Sequence, residues 1–280
     1  MTAADDRETT GVPPGDYVLG TQDAEIERLG LQHRVWREAA LAAWRRAGLA
    51  EGMRVLDVGA GPGWATLDLA EMVGPRGEVL AIERSPRFAA HHREVMRLRG
   101  LAQVRLIEAD LMTPPPVTGY DFAWCRWVAS FVSSPEALVR WLASALRAGG
   151  RVVFHEYVAY ETWQFLPPRR ALAEFRATVV ETWRADGGEP DVAAPLTALL
   201  GANGFRVEQV RPLVFTAAPG EPMWRWPASF VETYLARLVE LGKRDSAWAE
   251  RVKADLRAAE RDPTSRVLTP LVAEIVAVRA

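Results

Sequence analysis

The sequence predicts an α/β fold in which helices cover both faces of a mostly parallel sheet, a doubly wound arrangement. Three observations support this prediction. Short runs rich in β-branched residues alternate with helical stretches along residues 53–157, short turns separate them, and the first run ends in a glycine-rich turn. Strands that alternate with helices through short turns form parallel sheets, because each crossover brings the chain back to the same edge.

Composition places the chain among ordinary globular proteins and argues against two classes of partner. The chain has 280 residues, of which 49% are hydrophobic and 25% are charged, and its formal net charge is −2. Proteins that bind nucleic acids or membrane surfaces through general electrostatic attraction are normally basic. We therefore expect neither a nucleic acid nor a membrane as a partner.

The cysteine content and the apolar segments bear on metal binding and on location. Cys125 is the only cysteine, which excludes an intrachain disulfide and a zinc site built from cysteines, and we expect no metal site. No apolar run approaches the ~18–20 residues of a membrane-spanning helix, and the first thirty residues lack the apolar region of a secretory signal. These features favour a cytoplasmic protein, either a monomer or a homodimer.

The predicted elements follow one another in a regular order. Strands are predicted at 53–61, 77–84, 102–110, 120–127, 151–157, 205–215 and 271–278, and helices at 23–47, 64–74, 86–100, 134–150, 169–188 and 191–204. Residues 1–50 are expected to form an N-terminal arm and covering helices, and residues 51–280 the sheet domain. Two segments interrupt the alternation, at about 158–190 and 221–260, and we expect them to be helical lid insertions.

The strongest functional signal is the turn VLDVGAGPGW at residues 55–64. A strand there delivers Gly59, Gly61 and Gly63 to the start of a helix, and such a backbone allows close approach of a ligand. A dinucleotide site requires a glycine where Trp64 stands, and a phosphate-binding loop requires a lysine that is missing. The remaining pattern is D-x-G-x-G-x-G, with Asp57 two residues before the first glycine.

With this pattern the sequence resembles the class I S-adenosylmethionine-dependent methyltransferases, of the small-molecule type related to the quinone-biosynthesis C-methyltransferases. The resemblance covers about residues 50–157 strongly and 190–280 more loosely. It implies a Rossmann-like, seven-stranded sheet whose last strand is antiparallel. It also implies S-adenosyl-L-methionine as the cofactor and S-adenosyl-L-homocysteine as the product.

The resemblance assigns roles to three carboxylates at strand ends. It implies that Asp57 anchors the amino-acid portion of the cofactor, Glu83 accepts hydrogen bonds from the ribose hydroxyls, and Asp110 binds the adenine amine. Each could instead be a helix cap or a solvated loop acid, as strand-end acids often are. The full set of cofactor residues expected is Tyr17, Gln32, Asp57, Gly59, Ala60, Gly61, Gly63, Glu83, Arg84, Asp110, Leu111 and Arg126. Among them, Tyr17 would cover the sulfonium, Gln32 would bond the methionine carboxylate, and Leu111 would pack beside the adenine.

The candidate catalytic residues are His155 and Glu156, at the end of the fifth predicted strand. Both lie at the expected active-site edge of the sheet, and histidine titrates near neutral pH. Adjacent strand residues point to opposite faces, so at most one of the two is expected to reach the acceptor. A buried structural histidine is an equally good interpretation of His155. Alignment by itself accelerates methyl transfer, so a base is not obligatory. The remaining histidines, His33, His91 and His92, are expected at the surface of helices.

A small-molecule acceptor is expected, because the motif of nucleic-acid amino-methylating enzymes is missing from residues 124–131. The aromatic residues expected to line its pocket are Trp127, Phe131, Tyr160, Trp163, Trp224 and Trp226. The alternative is that these side chains only attach the lid insertions to the sheet. The predicted function is methyl transfer to O, N or C of an aromatic or polyketide-like metabolite. The alternative function is cofactor binding by a protein that catalyses a non-methylating cyclisation or rearrangement.

Overall fold

A computed structural model describes residues 23–280, so the predicted contact of Tyr17 lies outside the described residues. The helices are α1 (Asp23–Arg46), α2 (Trp64–Val73), α3 (Pro86–Arg99), α4 (Pro135–Ala145), α5 (Arg170–Ala185), α6 (Ala193–Ala202), α7 (Pro222–Glu240) and α8 (Ser246–Arg261). The strands are β1 (Arg54–Val58), β2 (Glu78–Glu83), β3 (Val104–Glu108), β4 (Tyr120–Arg126), β5 (Leu146–Tyr157), β6 (Gln164–Leu166), β7 (Phe205–Leu213), β8 (Thr216–Ala217), β9 (Arg266–Leu268) and β10 (Val272–Arg279).

Seven strands form the main sheet in the order β3-β2-β1-β4-β5-β10-β7. The first five strands of this order pair in parallel, and β10 is antiparallel to both of its neighbours. The predicted mostly parallel sheet with an antiparallel last strand is therefore confirmed. The strand order reverses between β1 and β4, and ligands bind at such a reversal, beyond the carboxyl ends of the strands.

Alternation along the strands supplies two apolar layers. Leu56 of β1 and Phe154 of β5 pack with α4 and α6 on one face, whereas Val55, Phe122 and Val153 pack with α1 and α2 on the other. These central strands are buried on both faces, as a parallel sheet between helices requires. The doubly wound arrangement thus follows from nearly continuous apolar strands. Within residues 23–280, none of the helices has the length and apolar character required to cross a membrane.

The lid segments differ in detail from the prediction. Segment 221–260 is two helices, α7 and α8, and a second sheet of three short strands, in the order β6-β9-β8, accompanies them. Strands of two or three residues carry too little periodicity to be recognised in a sequence. The predicted helix 134–150 ends at Ala145, because the chain continues as β5 through an irregular register opposite β4. The lid elements share one aromatic core, which includes Phe175, Trp224 and Trp248.

Candidate active site

A cavity of about 500 Å³, here called the main cavity, lies at the carboxyl ends of the parallel strands. Its lining includes ten of the predicted cofactor residues: Gln32, Asp57, Gly59, Ala60, Gly61, Glu83, Arg84, Asp110, Leu111 and Arg126. The predicted acceptor residues Trp127 and Phe131 line it as well. Gly63 is not part of the lining. The fold therefore brings together residues that are as far apart in the chain as positions 32 and 126.

Three glycines shape the turn at the floor of the main cavity, each for a different reason. Gly59, Gly61 and Gly63 have positive φ angles of 66°, 58° and 95°. A Cβ atom at Gly59 would lie 2.5 Å from a Val128 methyl carbon, and one at Gly63 would lie 2.4 Å from the His92 ring. A Cβ at Gly61 would meet no protein atom within 4 Å, so this glycine leaves open space beside the cavity.

Glu83 ties the glycine turn to β2. The backbone N–H of Gly61 donates to its Oε2 at 2.8 Å, and that of Ser85 donates to its Oε1 at 2.7 Å. Burial raises the pKa of Glu83, and the two backbone hydrogen bonds oppose that rise. From the sequence, this residue was expected to be either a ligand contact or a solvated loop acid. The structure adds a second function, because the carboxylate also holds the turn in place.

The other two strand-end carboxylates differ in their surroundings. Asp57 is buried, accepts a hydrogen bond from Thr66 Oγ1 at 2.6 Å, and has its pKa raised by burial to about 6. Asp110 is exposed, and its Oδ1 accepts from the backbone N–H of Met112 at 2.8 Å. The contact of Asp110 is the local turn expected of a loop acid, and its Oδ2 has no hydrogen bond to residues 23–280.

Arg126, at the end of β4, belongs to a chain of hydrogen bonds that the sequence did not predict. Its Nη2 donates to His33 Nδ1 at 3.0 Å, and His33 Nε2 donates to Asp68 Oδ2 at 2.9 Å. Arg37 in turn donates to both oxygens of Asp68 at 2.8 Å. Burial lowers the pKa of Arg126 to about 10, so the group is still charged at neutral pH. Its Nη1 is buried and has no partner among residues 23–280.

The expectation of surface positions for two histidines is wrong. His33 is 6% exposed and His92 is fully buried against the glycine turn, whereas His91 is half-buried. Both fully or nearly buried rings face the sheet side of their helices. The signal available in the sequence was the spacing of His33 and His92 relative to apolar residues of the same helix. Because histidine is polar, this spacing was not taken as evidence of burial. Burial lowers the pKa of His92 to about 4.

A second, smaller cavity of about 30 Å³ adjoins the main cavity and is here called the aromatic cavity. It is lined by Arg28, Gln32, Trp127, Phe131, Tyr157, Tyr160, Trp163, Trp183, Trp226, Pro227, Phe230 and Pro270. Gln32, Trp127, Phe131 and Trp183 line both cavities. The two spaces therefore share one wall, in which Trp127 lies.

Trp127 is the centre of a stack of rings. Its indole stacks with Tyr157 at 5.4 Å between ring centroids and with Trp226 at 5.5 Å. Its backbone has a φ of 52°, a conformation that side chains other than glycine rarely adopt. Such strained positions persist where surrounding packing holds them, and they cluster at functional sites.

Gln32 and Arg28 form a buried polar group where α1 meets the aromatic cavity. Arg28 donates to both carboxylate oxygens of Glu25 at 2.7 Å, and to Gln32 Oε1 at 3.1 Å. The indole N–H of Trp226 also donates to Gln32 Oε1, at 2.9 Å. The oxygen of the Gln32 amide is thus occupied, whereas its N–H groups make no hydrogen bond to residues 23–280. The sequence predicted an individual contact for Gln32, whereas Glu25 and Arg28 stood out only as part of the segment that precedes it.

Among the other predicted acceptor residues, Tyr160, Trp163 and Trp226 line the aromatic cavity, but Trp224 lines neither cavity. Trp224 is 2% exposed and packs edge-on against Phe165, with ring centroids 5.3 Å apart. Residues two apart on a helix face different directions, so Trp224 and Trp226 of α7 cannot both face the cavity. The alternative interpretation, attachment of the lid, describes Trp224.

Neither His155 nor Glu156 reaches a cavity, and both are fully buried. His155 Nε2 lies 3.3 Å from Glu274 Oε2, and burial lowers the pKa of His155. Glu156 accepts hydrogen bonds at 2.8 Å from the backbone N–H groups of Val128 and Ala129 and from Ser130 Oγ, while burial raises its pKa to about 7. The geometry therefore gives no support to a catalytic base at either position. Glu156 instead fixes the loop that follows Trp127.

Comparisons with known proteins match the central part of the chain to one family. Residues 55–150 match a family model described as a methyltransferase domain. The chain is 32% identical over 143 residues to aklanonic acid methyltransferase DauC of Streptomyces sp. (strain C5), which covers 48% of this chain and 64% of that protein. It is 30% identical over 127 residues to the ubiquinone/menaquinone biosynthesis C-methyltransferase UbiE of Azotobacter vinelandii, which covers 45% of this chain and 49% of the relative. The chain thus spans about half to two thirds of the length of these relatives.

Among solved structures, the fold is similar to that of the [4+2]-cyclase SpnF. The TM-score is 0.56 at 23% sequence identity, with 86% of this chain and 80% of that chain covered. At this level of identity the similarity concerns the fold. The family model identifies residues 55–150 as a methyltransferase domain, and the strand order and the glycine turn agree with the class I fold, whose cofactor is S-adenosylmethionine.

Proposed function

We propose that the protein transfers the methyl group of S-adenosylmethionine to O, N or C of a small aromatic or polyketide-like acceptor by in-line displacement. The observation that carries the proposal is the shared wall between a polar cavity at the strand ends and a cavity lined by aromatic rings. Aromatic walls with few polar groups suit a flat organic ligand. The relatives named for aklanonic acid and for quinone biosynthesis support a small-molecule acceptor.

The residues of the main cavity fit the cofactor. Gly61 leaves open space at the turn, the strand-end acids supply hydrogen-bond acceptors, and Arg126 and Gln32 supply donors without partners among residues 23–280. We propose that Asp57, Gln32 and Arg126 hold the amino-acid portion, that Glu83 holds the ribose, and that Asp110 with Leu111 holds the adenine. When bound, the cofactor supplies an electrophilic methyl group on a sulfonium.

The remaining work of catalysis falls to side chains that orient the acceptor and exclude water. Trp127, stacked between Tyr157 and Trp226, offers a rigid flat wall beside the shared opening. Burial raises the pKa of Tyr157 and of Tyr160 well above the usual value, so both hydroxyls stay protonated and can donate hydrogen bonds to an acceptor. Alignment in a dry site supplies several kcal/mol of rate acceleration without a base.

A second candidate function is a cyclisation or rearrangement that uses the cofactor without transferring its methyl group. Within residues 23–280, no carboxylate or histidine lines the aromatic cavity. A reaction that needs only a shaped pocket and no proton transfer is compatible with such a wall. The similarity of the fold to a [4+2]-cyclase gives this candidate some weight.

Transfer of an isotopically labelled methyl group distinguishes the two candidates. The protein is incubated with methyl-labelled S-adenosylmethionine and a panel of phenols, quinols and polyketide-like acceptors, and the products are measured by mass. Methyl transfer requires a labelled product and an equal amount of S-adenosylhomocysteine. Bound cofactor that is not consumed with any acceptor, while an acceptor is cyclised, would favour the second candidate.

The arrangement around the site is part of the proposal. We propose that residues 51–280 form a single methyltransferase domain with lids at about 158–190 and 221–260, and that residues 1–50 cover the cofactor. The charge balance favours a small molecule over nucleic acid as the partner. A cytoplasmic location and a monomeric or homodimeric state stay predictions.

A further inference from the structure

We propose that His33 is a positioning residue, which holds Arg126 ready for the carboxylate of the cofactor and makes cofactor affinity depend on pH. The inference rests on the proposed function, since it requires the amino-acid portion of the cofactor to lie at Arg126. It concerns a side chain that touches Arg126 and that was expected at the protein surface.

Arg126 has the properties of an anion-binding group that is held in advance. Its guanidinium lies within 5.6 Å of the ring centre of Trp124 and within 5.2 Å of that of Trp127, so two aromatic faces limit its movement. One terminal nitrogen, Nη2, is bonded to His33, whereas the buried Nη1 has no partner among residues 23–280. A buried cation with an unused donor in the lining of a cavity favours an anionic ligand group. The cofactor offers one such group, its α-carboxylate.

His33 can hold Arg126 only as a neutral ring. Arginine has no acceptor atom, so Nδ1 of His33 must accept and its proton must lie on Nε2. Nε2 then donates to Asp68, and Arg37 fixes Asp68 from the other side. The chain of bonds thus selects one tautomer of His33 and anchors it to α2.

Acid breaks this arrangement. Protonation places a second proton on Nδ1, so that two N–H groups face each other across 3.0 Å. The hydrogen bond between Arg126 and His33 is then replaced by repulsion between two cations. Burial is the largest influence on His33 and lowers its pKa, although the hydrogen bond to Asp68 opposes this. The hydrogen bond from Arg126 to His33 is therefore intact at neutral pH and is lost as the pH falls below the usual titration range of histidine. Cofactor affinity therefore falls as the pH falls.

Other charged groups near Arg126 could produce a pH dependence of their own. Asp57, with its pKa near 6, faces the same cavity, while Tyr157 and His155 lie close enough to interact electrostatically with Arg126. Asp68 and Arg37 act through His33 itself. A test must therefore remove the titration of His33 and leave these groups in place.

His33→Gln provides that variant. A glutamine amide presents one oxygen that can accept from Arg126 and one nitrogen that can donate to Asp68, and it does not titrate. His33→Ala removes both contacts. The ligands are S-adenosylhomocysteine and 5′-methylthioadenosine, which shares the adenosine but lacks the amino acid. Binding is measured by calorimetry at about pH 8 and about pH 4.5, the second value lying below the usual titration range of histidine, and circular dichroism confirms that each variant is folded at both pH values.

For S-adenosylhomocysteine, we expect wild-type affinity to fall about tenfold more than that of His33→Gln between the two pH values. His33→Ala should bind weakly at both. The affinity for 5′-methylthioadenosine should respond equally to acid in wild type and His33→Gln. The inference is overturned if wild type and His33→Gln show the same pH response, or if acid strengthens wild-type binding of S-adenosylhomocysteine relative to the variant. If wild type binds neither ligand at about pH 8, the proposed function itself fails.

Discussion

Two buried carboxylates, Glu83 and Glu156, are held by backbone N–H groups that they in turn fix in place. Glu83 accepts from Gly61 and Ser85, and Glu156 accepts from Val128 and Ala129. Charge-assisted bonds of this kind offset the cost of burying a carboxylate. Each acid therefore shapes a loop beside the main cavity. Substituting either acid can change ligand binding through that loop as well as through direct contact.

Glu83→Ala should weaken binding of S-adenosylhomocysteine by roughly 1–3 kcal/mol, because the ribose loses its charged acceptor and the glycine turn loses one tie. Isothermal calorimetry measures this change. Glu78→Ala is the matched control, since Glu78 lies at the opposite end of the same strand and bonds Arg54 and Tyr120. An affinity for Glu83→Ala equal to that of the control would mean that the ribose lies elsewhere.

Among the elements, the glycine turn and the end of β4 define the site most directly. The D-x-G-x-G-x-G spacing predicted the turn correctly, because positive φ at alternate positions requires glycine. Trp124 and Arg126, two positions apart on β4, both line the main cavity, and Trp127 joins them because the chain leaves the strand there with a positive φ, whereas His155 lines neither cavity. The short strands β6, β8 and β9 could not be predicted, because their pairing depends on distant segments of the lid.

Gly61→Ala and Gly63→Ala should both lower stability, but the first should mainly weaken cofactor binding and the second should mainly weaken the fold. Both substitutions place an L-residue at positive φ, which costs about 1–2 kcal/mol. Gly63→Ala adds an overlap with His92, so it should lower the free energy of unfolding by a further ~1–3 kcal/mol. Gly61→Ala has no protein neighbour in the way, but its methyl group extends beside the main cavity and should weaken binding of S-adenosylhomocysteine about tenfold.

Urea denaturation and calorimetry on both variants check this prediction. It is contradicted if Gly61→Ala is the less stable of the two, or if it binds S-adenosylhomocysteine as tightly as the wild type does. Each variant is the control for the other, because they share the backbone strain and differ in what surrounds the added atom.

At the scale of the whole molecule, α1 connects distant parts of the chain. It carries residues of the site, and it also contacts β10, the last strand of the main sheet along the chain. Gln32 and His33 face the cavities, and Arg46 near the C-terminal end of α1 donates to both oxygens of Glu274 in β10 at 2.8 Å. Glu274 is fully buried; burial opposes its ionisation, but the bonds from His155 and Arg46 outweigh this and lower its pKa. An ion pair thus links residues 228 positions apart.

Arg46→Met should destabilise the protein by about 3 kcal/mol, because it removes the cation bonded to both oxygens of a buried carboxylate and leaves, within residues 23–280, only the more distant cation Arg211, 3.9 Å away. Arg46→Met combined with Glu274→Leu should recover part of this loss, since an apolar pair can replace a buried ion pair. Chemical denaturation at neutral pH provides the measurement, with Arg45→Met as the control for an exposed arginine on the same turn. Equal stability of the Arg46→Met and Arg45→Met variants would rule out an energetic role for this pair.

Patterns within the sequence were enough to predict the main sheet, the helices beside it and the polar residues at the ends of its strands. These depend on local signals: apolar periodicity, glycines at fixed spacing, and acids at the ends of consecutive strands. Gln32 and Arg126 could be assigned to the cavity only through family resemblance, because they come from different elements. Asp57 and Glu83 were recognisable by their positions at strand ends, and the resemblance then implied their roles.

The partners and directions of the other side chains at the site became clear only from the folded chain. It buried His33 between Arg126 and Asp68, and it turned His155 towards Glu274 and away from the cavity. It also divided the aromatic residues into those that line the acceptor space and those, such as Trp224, that attach the lid. The physical reason is that a side chain's direction and partners depend on contacts between segments far apart in the chain, which local periodicity does not encode.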